Sequence, residues 1–310
     1  MTAPPDTDFS RVLARRDRAV AFAPAKLNLR LRILHRRPDG YHDIDSLVAL
    51  LDHGDLVSLS LGPRGNGCSL ACPGFPELET GDNLALRAVD FFKRYHGLDR
   101  QVALRIVKRT PLKAGLGGGS SDAVATLKAL SALHGVQVYD YCTPEALARE
   151  LGADLPLFVS GGHKRIQGVG ERCHALPGLP PWWVLLVTPP WSITTAELYH
   201  QWDLLNKTRS LDDSYLTGGR GDDSIYLPNN WDDAHLARVV ANDFFEVVQQ
   251  ACPDCGEVYD TLAKGPCLAA GISGSGSTVF ALYRQGLQAQ QARSALKKPY
   301  ITRIVSLLQW

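Results

Sequence analysis

From Val20 onward the chain alternates. Leu27, Leu29, Leu31 and Ile33 take every second position against Lys26, Asn28, Arg30 and Arg32, a period that predicts a strand over residues 20–33. Successive strand side chains leave on opposite faces, so Lys26 and Asn28 share one face and the leucines the other. A polar face of this kind is ordinarily solvated, yet asparagine is a poor mid-strand residue, which leaves room for a task. Further strands are predicted over 56–61 and 102–107, and from the apolar runs WWVLLV (182–187) and TVFALY (278–283). Helical patterns lie between them. Asp82 and Asn83 precede a helix over 84–95, and Val124, Leu127, Leu130 and Leu133 mark one over 121–133 that Gly135 can close. A shorter helix over 144–151 has Thr143 as N-cap, Pro144 at its first position and Gly152 at its end. Helices and strands are mixed without strict βαβ repetition, so the fold class is α+β.

Glycine interrupts this pattern in two places. In PLKAGLGGGSSDA, residues 111–123, four glycines and two serines fall within seven positions and lead directly into a helix. Glycine permits positive φ and close approach of backbone, so N–H groups can converge on one point. A helix N-terminus behind them adds free N–H groups and a positive dipole end, which suits phosphate. The loop is neither GxxxxGK[ST] nor GxGxxG, so a different kind of phosphate loop is required. The second cluster, GISGSGS at 271–277, runs straight into the strand TVFALY.

Composition narrows the class. The 310 residues carry a net charge of +1 and are 45% hydrophobic, so bulk electrostatics support neither nucleic-acid nor membrane binding. Seven cysteines and an N-terminus without an apolar segment argue against a disulfide framework and for a cytoplasmic location. The first nineteen residues, with Asp6, Asp8 and Asp17, read as a loose extension rather than a transit peptide. Cys252 and Cys255 lack the second pair that a zinc site needs and read as a turn beside a helix. Pro38-Asp39-Gly40 is a turn that delivers Tyr41 and His42 at a loop edge. Asp154, between Gly152 and Pro156, suits positional chemistry, and on local grounds an ordinary helix cap. Residues 203–235 are acidic and polar and read as a long loop or lid.

Three ordered segments, PAKLNLRL, PLKAGLGGGSSDA and GISGSGSTVFAL, resemble the three motifs of the GHMP kinases. Gly40-Tyr-His, Gly81-Asp-Asn-Leu, Gly152-Ala-Asp-Leu-Pro, Gly168-Val-Gly-Glu and Thr194-Thr-Ala-Glu resemble one branch, whose acceptor is a methylerythritol alcohol carried on cytidine diphosphate. The resemblance implies a two-lobed α+β GHMP fold with the active site in the cleft between lobes. An extension over 1–19 would be followed by lobes over 20–175 and 176–310. It implies ATP-dependent phosphorylation of a tertiary hydroxyl in the non-mevalonate isoprenoid route. Asp154 would be the base and Lys26 its cationic neighbour. Pro111, Leu112, Lys113, Ala114, Gly115, Leu116, Gly117, Gly118, Gly119, Ser120 and Ser121 would bind ATP, with Asn83 and Lys108 near the nucleotide. Mg²⁺ is expected, with Ser120 or Ser121 as a ligand. Asn28, Tyr41, His42, Thr195 and Tyr199 would bind the acceptor, the tyrosines as stacking faces and His42 as reader of the cytosine edge, by donating to its ring nitrogen. Lys113 departs from the motif, where a small residue is expected, and either faces outward or adds phosphate attraction. Partners are small molecules, with a monomer or homodimer as the assembly. A GHMP kinase for a smaller alcohol would not need Gly40-Tyr-His, and an inactive ligand-binding relative would not need both Lys26 and Asp154.

Overall fold

The computed structural model describes residues 12–176, 178–209 and 233–309. The strands are β1 (Val12–Arg15), β2 (Arg18–Arg36), β3 (His42–Leu61), β4 (Cys68–Ala71), β5 (Val102–Val107), β6 (Lys164–Gly168), β7 (Arg172–Ala175), β8 (Trp183–Thr188), β9 (Ala241–Asn242), β10 (Ala269–Ile272), β11 (Val279–Tyr283) and β12 (Ile301–Ser306). The helices are α1 (Leu84–His96), α2 (Gly118–His134), α3 (Pro144–Glu150), α4 (Leu155–Ser160), α5 (Thr195–Arg209), α6 (Asp233–Val239), α7 (Phe245–Ala251), α8 (Pro253–Ala263) and α9 (Gly286–Ser294). None among the described residues is long and apolar enough to cross a membrane.

Two sheets organise these elements. The first runs β1-β2-β3-β5-β4, with β6 paired to β3 and β7, and β9 to β2. The second runs β10-β11-β8-β12. Helices α1 and α2 cover one face of the first sheet through Val89, Phe91, Phe92, Leu127 and Leu130, all buried. The other face, carrying Leu27, Leu29, Leu47 and Leu51, meets Val184, Leu186, Phe280 and Leu282 of the second sheet in one shared apolar cluster. This explains why β2 is apolar at Leu27 and Leu29 and also buried at Lys26 and Asn28: both of its faces are covered, and neither is solvated.

Several expectations change here. Residues 12–15 are not part of a loose extension but pair with β2, Val12 opposite Ala21, through a turn in which Arg16 takes φ +49°. The strand expected over 56–61 is the last part of a 20-residue strand that begins at His42. Along one edge its first half pairs with β6 and its second with β5, while its other edge pairs with β2. The acidic stretch from 203 is helical up to Arg209, because it continues the helix begun at Thr195, and residues 233–235 open another helix. The rest of that expected loop, like residues 1–11, lies outside the described residues. β9 returns from the second half of the sequence to pair with Arg30 and Leu31, so the first sheet is not built from residues 20–175 alone. Cys252 caps α8, its sulfur accepting from the Cys255 N–H at 3.3 Å.

Candidate active site

β2 is irregular where chemistry was expected. Its register against β3 shifts between Pro24 and Lys26 and again between Asn28 and Arg30, so Lys26 and Asn28 sit between two bulges. Bulges re-aim side chains and are common beside active sites. The Lys26 ammonium donates to the Asn28 side-chain oxygen. The Asn28 amide nitrogen donates to Ser46 Oγ at 2.8 Å, and Ser46 Oγ donates to the Arg30 carbonyl at 2.6 Å. That chain fixes which way the Asn28 amide faces. Burial lowers the Lys26 pKa, and the Asp154 carboxylate acts in the opposite direction.

Two glycine loops interlock around this point. The Lys26 N–H donates to the Leu116 carbonyl at 2.9 Å, and Ser273 Oγ donates to the Gly115 carbonyl at 3.0 Å while accepting from the Asn28 N–H at 3.2 Å. Gly115 takes φ +75°, and a Cβ there would lie 2.0 Å from the Ser273 carbonyl oxygen. The second loop therefore braces the first, an arrangement that leaves no room for a side chain. Gly117 precedes α2, whose first residues, Gly118 and Gly119, present N–H groups and the positive helix end. Lys113 also has positive φ, +52°, and its side chain is exposed, in keeping with the outward alternative.

A cavity of about 640 Å³ is lined by residues 111–120, Asn83, Lys108 and Asp122. Ser121 is buried in α2, its hydroxyl without a partner among the described residues, and does not line this space, whereas Ser120 does. Asn83 caps α1, accepting from the Ala85 N–H, and donates to the Leu78 carbonyl. Lys108 is buried between Asp55 (2.5 Å) and Asp122 (2.7 Å). Burial works against the Lys108 charge, but Asp122 and Asp55 outweigh it and raise its pKa. Burial raises that of Asp122, with Lys108 opposing. One Asp122 oxygen has no hydrogen-bond partner among the described residues. A larger space of about 990 Å³ adjoins Lys108 and residues 110–113 from the side of His53, Trp191 and Arg303.

A second cavity, about 500 Å³, holds Asn28, Tyr41, His42, Tyr199 and Asp203. Lys26, Asp154, Thr195 and Ser275 line both this cavity and the 640 Å³ one. Asp154 stands just before α4, but its side chain makes no capping hydrogen bond, so the ordinary cap is not its role. His42 is buried and its ring stacks on Tyr199, centroids 4.6 Å apart and planes 14° apart, with Trp202 edge-on at 5.8 Å. Burial, with a smaller push from Asp154, raises the Tyr199 phenol to about 12. Tyr41 is 66% exposed. The two tyrosines thus do not form a ready sandwich, since His42 covers one face of Tyr199. Ser46, Ser273, Asp122 and Asp203 were not foreseen. Asp203 alone had a local signal, lying one helical turn after Tyr199.

Models of two known families match the chain: GHMP kinases N terminal domain over residues 83–162 and GHMP kinases C terminal over residues 230–302. The chain is 37% identical over 269 residues to 4-diphosphocytidyl-2-C-methyl-D-erythritol kinase of Anaeromyxobacter dehalogenans (strain 2CP-1 / ATCC BAA-258), covering 86% of this chain and 81% of that one. It is 36% identical over 294 residues to the protein of the same name from Burkholderia pseudomallei (strain 1710b), covering 94% and 92%. A crystal structure of 4-(cytidine 5'-diphospho)-2C-methyl-D-erythritol kinase superposes with a TM-score of 0.71 at 31% identity, over 93% of this chain and 98% of that one.

Proposed function

Because the chain belongs to the 4-diphosphocytidyl-2-C-methyl-D-erythritol kinases, within the GHMP kinases, we propose that phosphoryl transfer takes place where its two cavities join. The enzyme uses ATP to phosphorylate 4-diphosphocytidyl-2-C-methyl-D-erythritol on its tertiary 2-hydroxyl, in the non-mevalonate route to isoprenoids. The observation that carries the assignment of the centre is that Lys26 and Asp154 line both compartments.

In this reading ATP lies along residues 111–120, with Asn83 and Lys108 near the nucleotide and Ser121 behind the loop in α2, and the loop N–H groups and the α2 dipole hold its phosphates. Lys108, engaged by two carboxylates, acts mainly by fixing the start of α2. Asp154 accepts the proton of the acceptor hydroxyl as that oxygen bonds the γ-phosphorus and the bond to the departing ADP oxygen breaks. Lys26, beside Asp154, offsets charge on the transferring group. Asn28, held by Ser46, orients the hydroxyl, and Thr195 closes the junction. Mg²⁺ fits the donors present: Ser120 lines the cleft, and Asp122 has an oxygen without a partner among the described residues. These two would hold it, and the ion would supply charge neutralisation to the phosphates. Tyr41 and Tyr199 offer faces to the pyrimidine and His42 its reading edge. Two lobes that divide near residue 175, with β1 part of the first and β9 crossing back to its sheet, a cytoplasmic location and a monomer or homodimer complete the proposal.

The test is a kinase assay on Asp154→Asn. The variant should bind both substrates and lose about 10²–10⁴-fold in kcat, the usual loss of a general base. A near-normal kcat would remove Asp154 from the chemistry.

A further inference from the structure

α5 carries Tyr199 and Asp203 one turn apart, so both reach the same neighbour. That neighbour is His42. Tyr199 stacks on its ring, and Asp203 Oδ1 lies 2.8 Å from its Nε2. Arg36 approaches the other Asp203 oxygen at 3.6 Å. Nδ1 has no hydrogen-bond partner among the described residues, and the ring lines the 500 Å³ cavity. No role follows for Asp203 from the reaction as described above.

We propose that Asp203 is a positioning residue that decides which nitrogen of His42 faces the pyrimidine, and through it the preference for cytosine over uracil. The inference rests on the reading that His42 meets the base. A carboxylate can only accept, so the proton must sit on Nε2, and a neutral imidazole then presents Nδ1 as a bare acceptor. An acceptor at Nδ1 is complementary to the exocyclic amino group of cytosine. It opposes, lone pair to lone pair, the carbonyl that uracil carries at the same place. This reassigns the contact: His42 accepts from the amino group rather than donating to the ring nitrogen. Without Asp203 the ring is free to take the other tautomer or to turn over, and the discrimination goes with it.

The experiment compares wild type, Asp203→Ala, Asp203→Leu, Asp203→Asn and His42→Ala with the cytidine substrate and its uridine analogue, at saturating ATP. Asp203→Ala and Asp203→Leu should raise KM for the cytidine substrate more than they lower kcat, and shrink the cytidine-to-uridine ratio about tenfold, the value of one buried hydrogen bond. Asp203→Asn should retain most of the ratio, since its amide oxygen still accepts from Nε2–H. Imidazole ¹⁵N spectra should place the His42 proton on Nε2 in wild type and Asp203→Asn, and on a mixture of nitrogens in Asp203→Ala. If His42→Ala collapses the ratio while Asp203→Ala and Asp203→Leu leave it intact, Asp203 is not the positioning residue. If His42→Ala also leaves it intact, the assignment of His42 to the base fails, and this proposal with it. A His42 proton on Nδ1 in wild type overturns the tautomer argument directly.

Discussion

A lysine only 6% exposed has lost most of the water that normally holds its charge, and Lys26 is such a lysine. Its one hydrogen-bond acceptor among the described side chains is a neutral amide, Asn28. Burial moves its pKa down from 10.5, and Asp154 only partly restores it. The working form is the cation, which is present below the lowered pKa and lost as pH rises through it. The alkaline limb of kcat should therefore begin below the ordinary lysine value. Lys26→Arg keeps a cation at every accessible pH, so it should run at a lower peak rate but without that limb. The check is kcat between about pH 7 and pH 10 for both proteins. An alkaline limb that survives unchanged in Lys26→Arg assigns it to another group.

At the scale of elements, the nucleotide loop owes its path to a second loop far away in sequence. Gly115→Ala should therefore do two kinds of damage: strain from φ +75°, and a collision with the Ser273 carbonyl. Gly135→Ala is the control, with φ +66° and nothing within 4 Å of the added Cβ. The control should lose about 1–2 kcal/mol of stability, the cost of a left-handed non-glycine residue, and leave KM for ATP unchanged. Gly115→Ala should lose more and raise KM for ATP, read by urea unfolding and steady-state kinetics. Equal effects of the two variants on KM would show that the brace is immaterial to the nucleotide. The glycine loop and its helix were legible because their signals are local: a run of glycines, then apolar residues at helical spacing. β2 was legible by its alternation. Residues 42–55 of β3 were not, because Asp43, Asp45, His53 and Asp55 break the pattern of a buried strand. Three of these find partners distant in sequence, His53 at the Arg109 carbonyl at 3.2 Å among them. Asp45 pairs with Arg165 at 2.9 and 2.6 Å, and Asp55 takes Lys108 and the N–H groups of Arg109 and Thr110. Ser46 and Ser273 act in the same way, through contacts no window of sequence contains. Asp203 was obscured by the acidic composition around it, which reads as loop although the helix from Thr195 runs through it.

On the scale of the whole molecule, the question is whether the two sheets are independent units joined at a cleft. Their contacts argue that they are one. A single apolar cluster takes Leu27 and Leu29 from β2, Leu47 and Leu51 from β3, Val184 and Leu186 from β8, and Phe280 and Leu282 from β11. The chain's end is tied across as well. Leu307 bridges to Leu51, the Leu308 N–H donates to the Leu50 carbonyl at 2.8 Å, and Ser306 donates twice to the Asp52 carboxylate, at 2.8 and 2.7 Å. Within the same layer lie Ala114 and Leu116, so the nucleotide loop is anchored in the core that joins the sheets. Unfolding should then be a single cooperative transition, and loss of one buried leucine at the shared surface should weaken both halves equally. Leu27→Ala removes a fully buried side chain and should cost about 2–5 kcal/mol. All six tryptophans lie at residue 182 or beyond, so their fluorescence weights the second half of the chain, although Trp182 and Trp202 also touch the first sheet. Hydrogen exchange of the α1 segment, residues 84–96, reports the first. In wild type both probes should change at one urea concentration, and in Leu27→Ala both should move together to a lower one. If α1 exchanges earlier while the tryptophan transition stays put, the sheets are separate folding units, and the cleft between them is a hinge rather than a seam.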